Sequence, residues 1–251
     1  MLESLNGKVA VITGATGRLC KTVALTLVRY GTRIVAVGRN ESAARELVDE
    51  IGRQGGKAIY VICDINCDAD RKKVMAEAKK AFGTVDIVIN GAVKWQKNSI
   101  FDLTSEDYLS VLEANVVSPL LLARDAVKVM IGDGHGGRII NIASAGAYKS
   151  SKDSVCYDSS KTALVSATWA MASEWGQYGI TSNCVAPGMT LVENEHRPEW
   201  LLEKNRLMTP TLSLTKAEHV ANTIAFLASD DSGNINGVTI PIEGGLMRAA
   251  K

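Results

Sequence analysis

The chain has 251 residues, 46% of them hydrophobic, which is enough for one large α/β core and too little for two comfortable domains, so a single domain over 1–251 is expected. Lys and Arg total 28 against 27 for Asp and Glu, and the resulting formal charge of +1 offers no general attraction to nucleic acid or to an anionic membrane. No stretch reaches the ~20 apolar residues of a membrane span, and MLESLNGKVAVITG lacks the pattern of a secretory signal, so a cytoplasmic protein is expected.

Apolar runs rich in β-branched residues alternate with longer amphipathic stretches from one end of the chain to the other. That rhythm predicts a doubly wound parallel sheet of about seven strands with helices on both faces. Strands are predicted at Val9 to Thr13, Arg33 to Val37, Ala58 to Ile62, Asp86 to Asn90, Arg138 to Ala143, Ile180 to Ala186 and Val238 to Ile242. Helices are predicted at Ser42 to Arg53, Ala69 to Phe82, Ser105 to Ile131, Val155 to Tyr178 and Lys216 to Ala228. Residues 190–209 break the rhythm. Loops beyond the carboxyl ends of parallel strands are where such sheets bind ligands, so this segment reads as a substrate lid or as a plain surface excursion.

The first predicted strand runs into Thr13-Gly14-Ala15-Thr16-Gly17-Arg18-Leu19-Cys20 and then a helix. There, backbone N–H groups at a helix N-terminus can meet a pyrophosphate, although a glycine-bearing turn of this kind is as often only a tight connection. Further on, Asn115 falls within a predicted helix, where an amide needs partners, and Pro119 soon after it should disturb the helix and free a backbone carbonyl. The amide is either a structural plug or part of a relay. Ser144 closes the strand RIINIAS at its carboxyl end. Near the start of the next long helix, Tyr157 and Lys161 are spaced by four and therefore share a face. Lowering a phenol pKa from ~10 requires ~1.4 kcal/mol per unit of preferential phenolate stabilisation, which a cation one turn away can supply.

Five cysteines (Cys20, Cys63, Cys67, Cys156 and Cys184) without CxxC spacing, and three separated histidines (His135, His196 and His219), indicate neither a disulfide framework nor a metal site.

Taken together, Ser144, Tyr157-x-x-x-Lys161, Asn115 and Asn183-Cys184-Val185-Ala186-Pro187-Gly188 make the chain resemble a short-chain dehydrogenase/reductase of the compact, single-domain, Rossmann type. The resemblance runs from Gly7-Lys8-Val9-Ala10 to Glu243-Gly244-Gly245. It implies a catalytic set in which Tyr157 is the general acid or base and Lys161 lowers its pKa and holds the nicotinamide ribose. Ser144 would polarise the substrate carbonyl, and Asn115 would fix a water leading from Lys161 to solvent. It also implies cofactor contacts from Gly14, Thr16, Gly17, Arg18 and Leu19 on the turn, and from Asp64 and Ile65 beside the adenine. Asn90, Gly91 and Ala92 would lie along the adenosine, and Pro187, Gly188 and Thr190 beside the nicotinamide, with Tyr157 and Lys161 completing the set. A homo-oligomer, tetramer or dimer, packed through the two long helices is a further implication.

Three departures from the family pattern stand out. Arg18 and Cys20 occupy the second and third glycine positions of TGxxxGxG. The usual NNAG reads Asn90-Gly91-Ala92-Val93, and the usual Asp-Gly-Gly reads Glu243-Gly244-Gly245.

After the second strand, Val37-Gly38-Arg39-Asn40 carries no acidic residue to accept from a ribose 2′-hydroxyl. Arg39 offers a guanidinium suited to a 2′-phosphate, and Arg18 is expected to turn toward the same group, which makes NADP the expected cofactor over NAD. The expected function is hydride transfer between NADP(H) and a ketone or secondary alcohol of small size. The alternative is a redox-inactive dinucleotide-binding regulatory protein on the same fold, motivated by the altered glycine turn. Trp95, Met189, Trp200 and Met208 fall on segments able to line a partly apolar pocket or simply to pack.

Overall fold

The computed structural model describes residues 2–192 and 196–248. In chain order the elements are β1 (Val9–Thr13), α1 (Arg18–Val28), β2 (Arg33–Gly38), α2 (Glu41–Arg53), β3 (Ala58–Ile62), α3 (Asp68–Phe82), β4 (Ile87–Asn90), α4 (Ser105–Leu112) and α5 (Ser118–Gly132). They continue with β5 (Gly137–Ile142), α6 (Val155–Trp175), β6 (Ile180–Pro187), β7 (Thr190–Leu191), α7 (Glu199–Met208), β8 (Thr215–Lys216), α8 (Ala217–Ala228) and β9 (Thr239–Ile242).

Seven of the strands form one parallel sheet in the order β3-β2-β1-β4-β5-β6-β9. All seven strands expected from the sequence are in it. Side chains alternate across a strand, so β1 divides its residues between two cores. Ala10 and Ile12 pack with Val23, Ala24 and Leu27 of α1 and Val220 and Ile224 of α8. Val9 and Val11 pack on the other face with Val74 and Ala78 of α3 and Leu122 and Ala126 of α5. Because both faces are covered, the strand reads as one continuous apolar run, fully buried along its length.

Local chemistry sets the helix ends. The Asn40 side chain accepts from Ala43 N at 3.1 Å at the start of α2, and Thr104 accepts from Asp107 N at 3.1 Å at the start of α4. Acidic Asp68 and Asp70 lie in the first turn of α3 and Lys79 and Lys80 in its last, before Gly83 ends it at φ 85°.

The long helix expected from Ser105 to Ile131 is present with a fault in it. One π-helical turn, Glu113–Val117, joins α4 to α5, and Ser118 N donates back to Glu113 O. Pro119 follows in the first turn of α5, where it supplies no N–H to the turn behind it. The disturbance expected from Pro119 is thus absorbed as a bulge, and the helix runs on.

The segment 190–209 is less irregular than its sequence implied. β7 pairs in parallel with β8 through Thr190↔Thr215 and Leu191↔Lys216, and α7 occupies Glu199–Met208. Residues 193–195 of the expected lid lie outside the described residues. Among the described residues no helix is long and apolar enough to cross a membrane.

Candidate functional site

The strand order reverses between β1 and β4, which opens a crevice at the carboxyl edge of the sheet. The register aligns Thr13 with Asn90 and Asn90 with Asn141, so three strand ends reach this edge together. Thr13 binds the backbone just past β4, and the two asparagines bind each other. Thr13 Oγ1 accepts from both Gly91 N and Ala92 N at 3.1 Å. Asn90 Nδ2 donates to Asn141 Oδ1 at 2.8 Å and to Pro119 O at 3.2 Å, and Asn141 Nδ2 donates to Thr168 Oγ1 at 2.8 Å. A buried polar chain therefore ties α5, β4, β5 and α6 behind the crevice. Asn90, expected along the adenosine, uses its amide donor inside this chain.

The glycine turn is shaped by backbone contacts. Gly14 adopts φ +64°, and a Cβ there would lie 2.9 Å from Ala92 N, so both the left-handed conformation and the close approach require glycine. Gly17 N donates to Gly14 O at 2.8 Å, and Gly17 then serves as the N-cap of α1 without a capping side chain. The first turn of α1 holds no acidic residue. Its leading amides, uncapped by a side chain, suit a diphosphate. Across the crevice Gly38 approaches Thr16, where a Cβ would lie 3.4 Å from Thr16 Oγ1. The donor set thus fits a dinucleotide.

Two of the departures from the family pattern compensate one another. Cys20 stands where the family has glycine and Gly91 where it has asparagine, and any Cβ on Gly91 would collide with Cys20 Sγ. The thiol fills the space that the missing side chain vacates. Burial raises the Cys20 thiol to about 12, so at neutral pH it is a packing group.

Arg39 and Arg18 are both exposed, on β2's exit and at the start of α1. Asp64 is exposed as well; its backbone N donates to Asp70 Oδ2 at 2.8 Å while its own Oδ1 accepts from Asn66 N at 3.1 Å. The carbonyl of Ile65 accepts from the Arg71 guanidinium. At the far side of the crevice Pro187 closes β6, Gly188 N donates to Ile242 O at 3.0 Å, and Thr190 Oγ1 donates to Gly188 O at 3.1 Å. Leu19 is half-buried against the core beneath α1.

Ser144, Tyr157 and Lys161 converge at the end of β5. Burial is the main influence on the Tyr157 phenol and raises its pKa, the neighbouring Ser144 hydroxyl acts in the opposite direction, and Asp158 raises it further. Ser144 Oγ in turn accepts from Gly146 N at 3.0 Å. Lys161 is 3% exposed, and its Nζ donates to Ile142 O at 2.7 Å. Desolvation lowers its pKa to about 8, so at pH 7 it remains mainly an ammonium.

Lys161 is placed one helical turn from Tyr157, as its spacing implied. The ammonium lies 5.7 Å from the Tyr157 ring centroid and donates to the β5 carbonyl, while burial is the main influence on the phenol.

Asn115 is fully buried with both ends of its amide bonded. Its Oδ1 accepts from Lys94 N at 2.8 Å, and its Nδ2 donates to Lys94 O and Ser160 Oγ, both at 2.9 Å. The amide clamps the chain leaving β4 onto α6. Thr13, Asn141, Asp158 and Ser160 are site residues that the sequence reading missed. Of these only Asp158, a carboxylate beside the motif tyrosine, carried a signal. Among the described residues no cluster of His, Cys, Asp and Glu could hold a metal ion.

A parallel sheet with a ligand crevice at its switch point and a Ser, Tyr and Lys group beside it defines a dinucleotide-dependent oxidoreductase. A family model described as enoyl-(acyl carrier protein) reductase matches residues 14–247. An uncharacterized oxidoreductase of Thermotoga maritima is 32% identical over 249 residues, covering 96% of this chain and 98% of that one. The structure of a gluconate 5-dehydrogenase from Burkholderia cenocepacia, in complex with NADP and tartrate, superposes with TM-score 0.92 at 27% identity over 99% of each chain. That of an NAD+-bound xylitol dehydrogenase gives TM-score 0.89 at 26% identity, over 96% of this chain and 99% of the other. The chain belongs to the short-chain dehydrogenase/reductase family.

The Cys20 and Gly91 pairing makes a double-mutant cycle informative. Gly91→Ala should cost ~1–3 kcal/mol by overpacking, and adding Cys20→Gly should return at least half of that loss, measured by urea denaturation. Additive losses would show that the two positions are independent.

Proposed function

We propose that this protein interconverts a ketone and a secondary alcohol with NADP(H), with Tyr157 as general acid in reduction and general base in oxidation. The observation that carries the reading is the meeting of the Ser144 hydroxyl and the Tyr157 phenol at the carboxyl edge, next to a buried ammonium. Two hydroxyls so held can converge on one carbonyl oxygen. The names of the two solved neighbours, which concern a sugar acid and a polyol, agree with alcohol and ketone chemistry.

The dinucleotide would be held by Gly14, Thr16, Gly17 and Leu19 at the head of α1, by Asp64 and Ile65 beyond β3, and by Gly91 and Ala92 beyond β4. Pro187, Gly188 and Thr190 would border its nicotinamide end, and its chemistry there is to give or take a hydride. Ser144 orients the substrate oxygen. Tyr157 gives a proton to that oxygen as the carbon is reduced, and takes it back in the reverse direction. Lys161, mainly protonated at neutral pH, offsets the negative charge that then develops on the phenol and offers a donor to the ribose. Asn115 holds the Lys94 backbone as one wall of the crevice. We read the described parts of 190–209 as a lid, since α7 has no fully buried residue and presents Trp200 to solvent.

Neighbours of both cofactor types exist, so the choice of NADP rests on residues of this chain. Arg39 is exposed at the exit of β2, and the turn from Gly38 to Asn40 has no carboxylate to repel a phosphate. Assembly into a homo-oligomer is supported by exposed Leu109 on α4 and Trp169 on α6, apolar groups on the two helices expected to meet their copies.

Tyr157→Phe should reduce kcat by orders of magnitude in a ketone reduction assay while leaving NADPH binding nearly intact. Retention of more than about a tenth of wild-type kcat, a barrier change of ~1.4 kcal/mol or less, would reject Tyr157 as the acid/base. Arg39→Ala should weaken NADPH by ~1–3 kcal/mol and leave NADH little changed in a binding titration, and equal losses would remove the phosphate assignment. Light scattering at micromolar concentration should give a dimer or tetramer, and a monomer alone would refute the assembly.

A further inference from the structure

Asp158 is a buried carboxylate that the proposed chemistry does not use. It follows Tyr157 directly on α6, is 4% exposed, and is fixed against the strap that links β5 to α6. Its Oδ2 accepts from Ser151 N at 2.8 Å. Its carboxylate also lies against Gly146, where any Cβ would collide with it. Thr162 Oγ1 ties the same region from below, donating to Asp158 O at 3.0 Å and to Ala147 O at 2.9 Å. Both ends of the strap thus meet Asp158, and Gly146 is the residue whose N–H holds Ser144 Oγ at 3.0 Å.

We propose that Asp158 is a positioning residue, whose carboxylate anchors the Gly146–Ser151 strap so that Ser144 faces Tyr157, and whose charge lies one residue along α6 from the phenol. This rests on the reading of Ser144 and Tyr157 given above. The Ser144 hydroxyl also acts on the phenol, and the Lys161 ammonium, one turn further along α6, lies 5.7 Å from its ring centroid. From α4, Asp107 acts on Cys156, the residue before Tyr157. The strap itself adds exposed Tyr148 and Lys149.

The two parts of the role separate by substitution. Asp158→Asn keeps an oxygen able to accept from Ser151 N and removes the charge, whereas Asp158→Ala removes both. Losing the charge favours the phenolate, so the phenol pKa should fall by about half a unit. The acid limb of alcohol oxidation, which rises as the phenol ionises, and the alkaline limb of ketone reduction, which falls as it ionises, should both move to lower pH by that amount. Losing the anchor should lower kcat for ketone reduction at least tenfold in Asp158→Ala, with NADPH affinity unchanged and with faster hydrogen exchange at Gly146 and Ser151. Asp158→Asn should restore slow exchange and most of kcat.

A readout that needs no substrate keeps this test distinct from that of the proposed activity. Ultraviolet titration of the phenol, taken as the difference from the same protein carrying Tyr157→Phe, should show the shift in Asp158→Asn whether or not a ketone is turned over. An unshifted phenol together with slow exchange at Gly146 and Ser151 in Asp158→Ala would overturn the proposal. If Asp158→Ala does not fold, the phenol titration of Asp158→Asn decides alone, and no shift there overturns it.

Discussion

Lys161 carries its ammonium into the interior of the protein, and a charge held out of water must be given a partner or lose its proton. Its nearest partner is the carbonyl of Ile142, the last residue of β5. That carbonyl is available because β5 ends there and the chain turns into the strap bearing Ser144. The same strand end, the same helix and the same crevice therefore fix three groups at once. With the pKa of Lys161 lowered to about 8 by desolvation, the cation persists at neutral pH but gives up its proton more readily than a solvated lysine. Two buried thiols, Cys20 and Cys184, border it and, like Lys161 itself, are governed mainly by desolvation. The ammonium is thus surrounded by groups that pack and do not compete for its charge.

Around this centre the framework is made stiff by polar contacts that are easy to mistake for binding groups. Asn90, Asn141 and Thr168 form one path from β4 to α6, with Thr13 holding the backbone just beyond Asn90, while Asn115 and Ser160 form another from the π-helical turn to α6. Each contact satisfies a buried donor that would otherwise cost ~1–3 kcal/mol. Their product is a crevice whose walls do not need a ligand to find their positions. Groups left at its mouth, such as Arg39, stay exposed, which suits a role in meeting a charged ligand.

The altered glycine turn shows how a local departure can be neutral for the fold. A cysteine where the family has glycine would crowd the strand behind it, except that the facing residue, Gly91, has surrendered its own side chain. The turn itself depends on Gly14, whose positive φ and contact with Ala92 admit no side chain. Gly17, one place before the family position, is the N-cap of α1 and has an extended backbone, so it is its lack of bulk that the turn uses.

Most of the architecture could be read directly from residue order. Runs such as Val9 to Thr13 and Arg33 to Val37 are apolar on both sides, a pattern that only a doubly covered parallel sheet explains, and each appears as a strand. Ser144, Tyr157 and Lys161 were legible chiefly through resemblance to the family, with Ser144 closing a strand and the other two sharing a helix face. What the residue order could not convey was which atom each polar group would choose. The Asn115 amide turns to Lys94 and Ser160, residues 21 and 45 positions away along the chain, and the Lys161 ammonium turns to a carbonyl 19 positions before it. Such choices depend on distances between elements that pack only after the sheet has closed. Burial of Tyr157, and with it the sign of its pKa shift, is likewise a property of the packed structure. Sequence determined the strands and their hydrophobic faces, because those depend on periodicity within single elements, and it named the candidate site residues through their motifs. Tertiary structure alone decided their partners and their protonation, because desolvation and hydrogen bonding act between elements far apart in the chain.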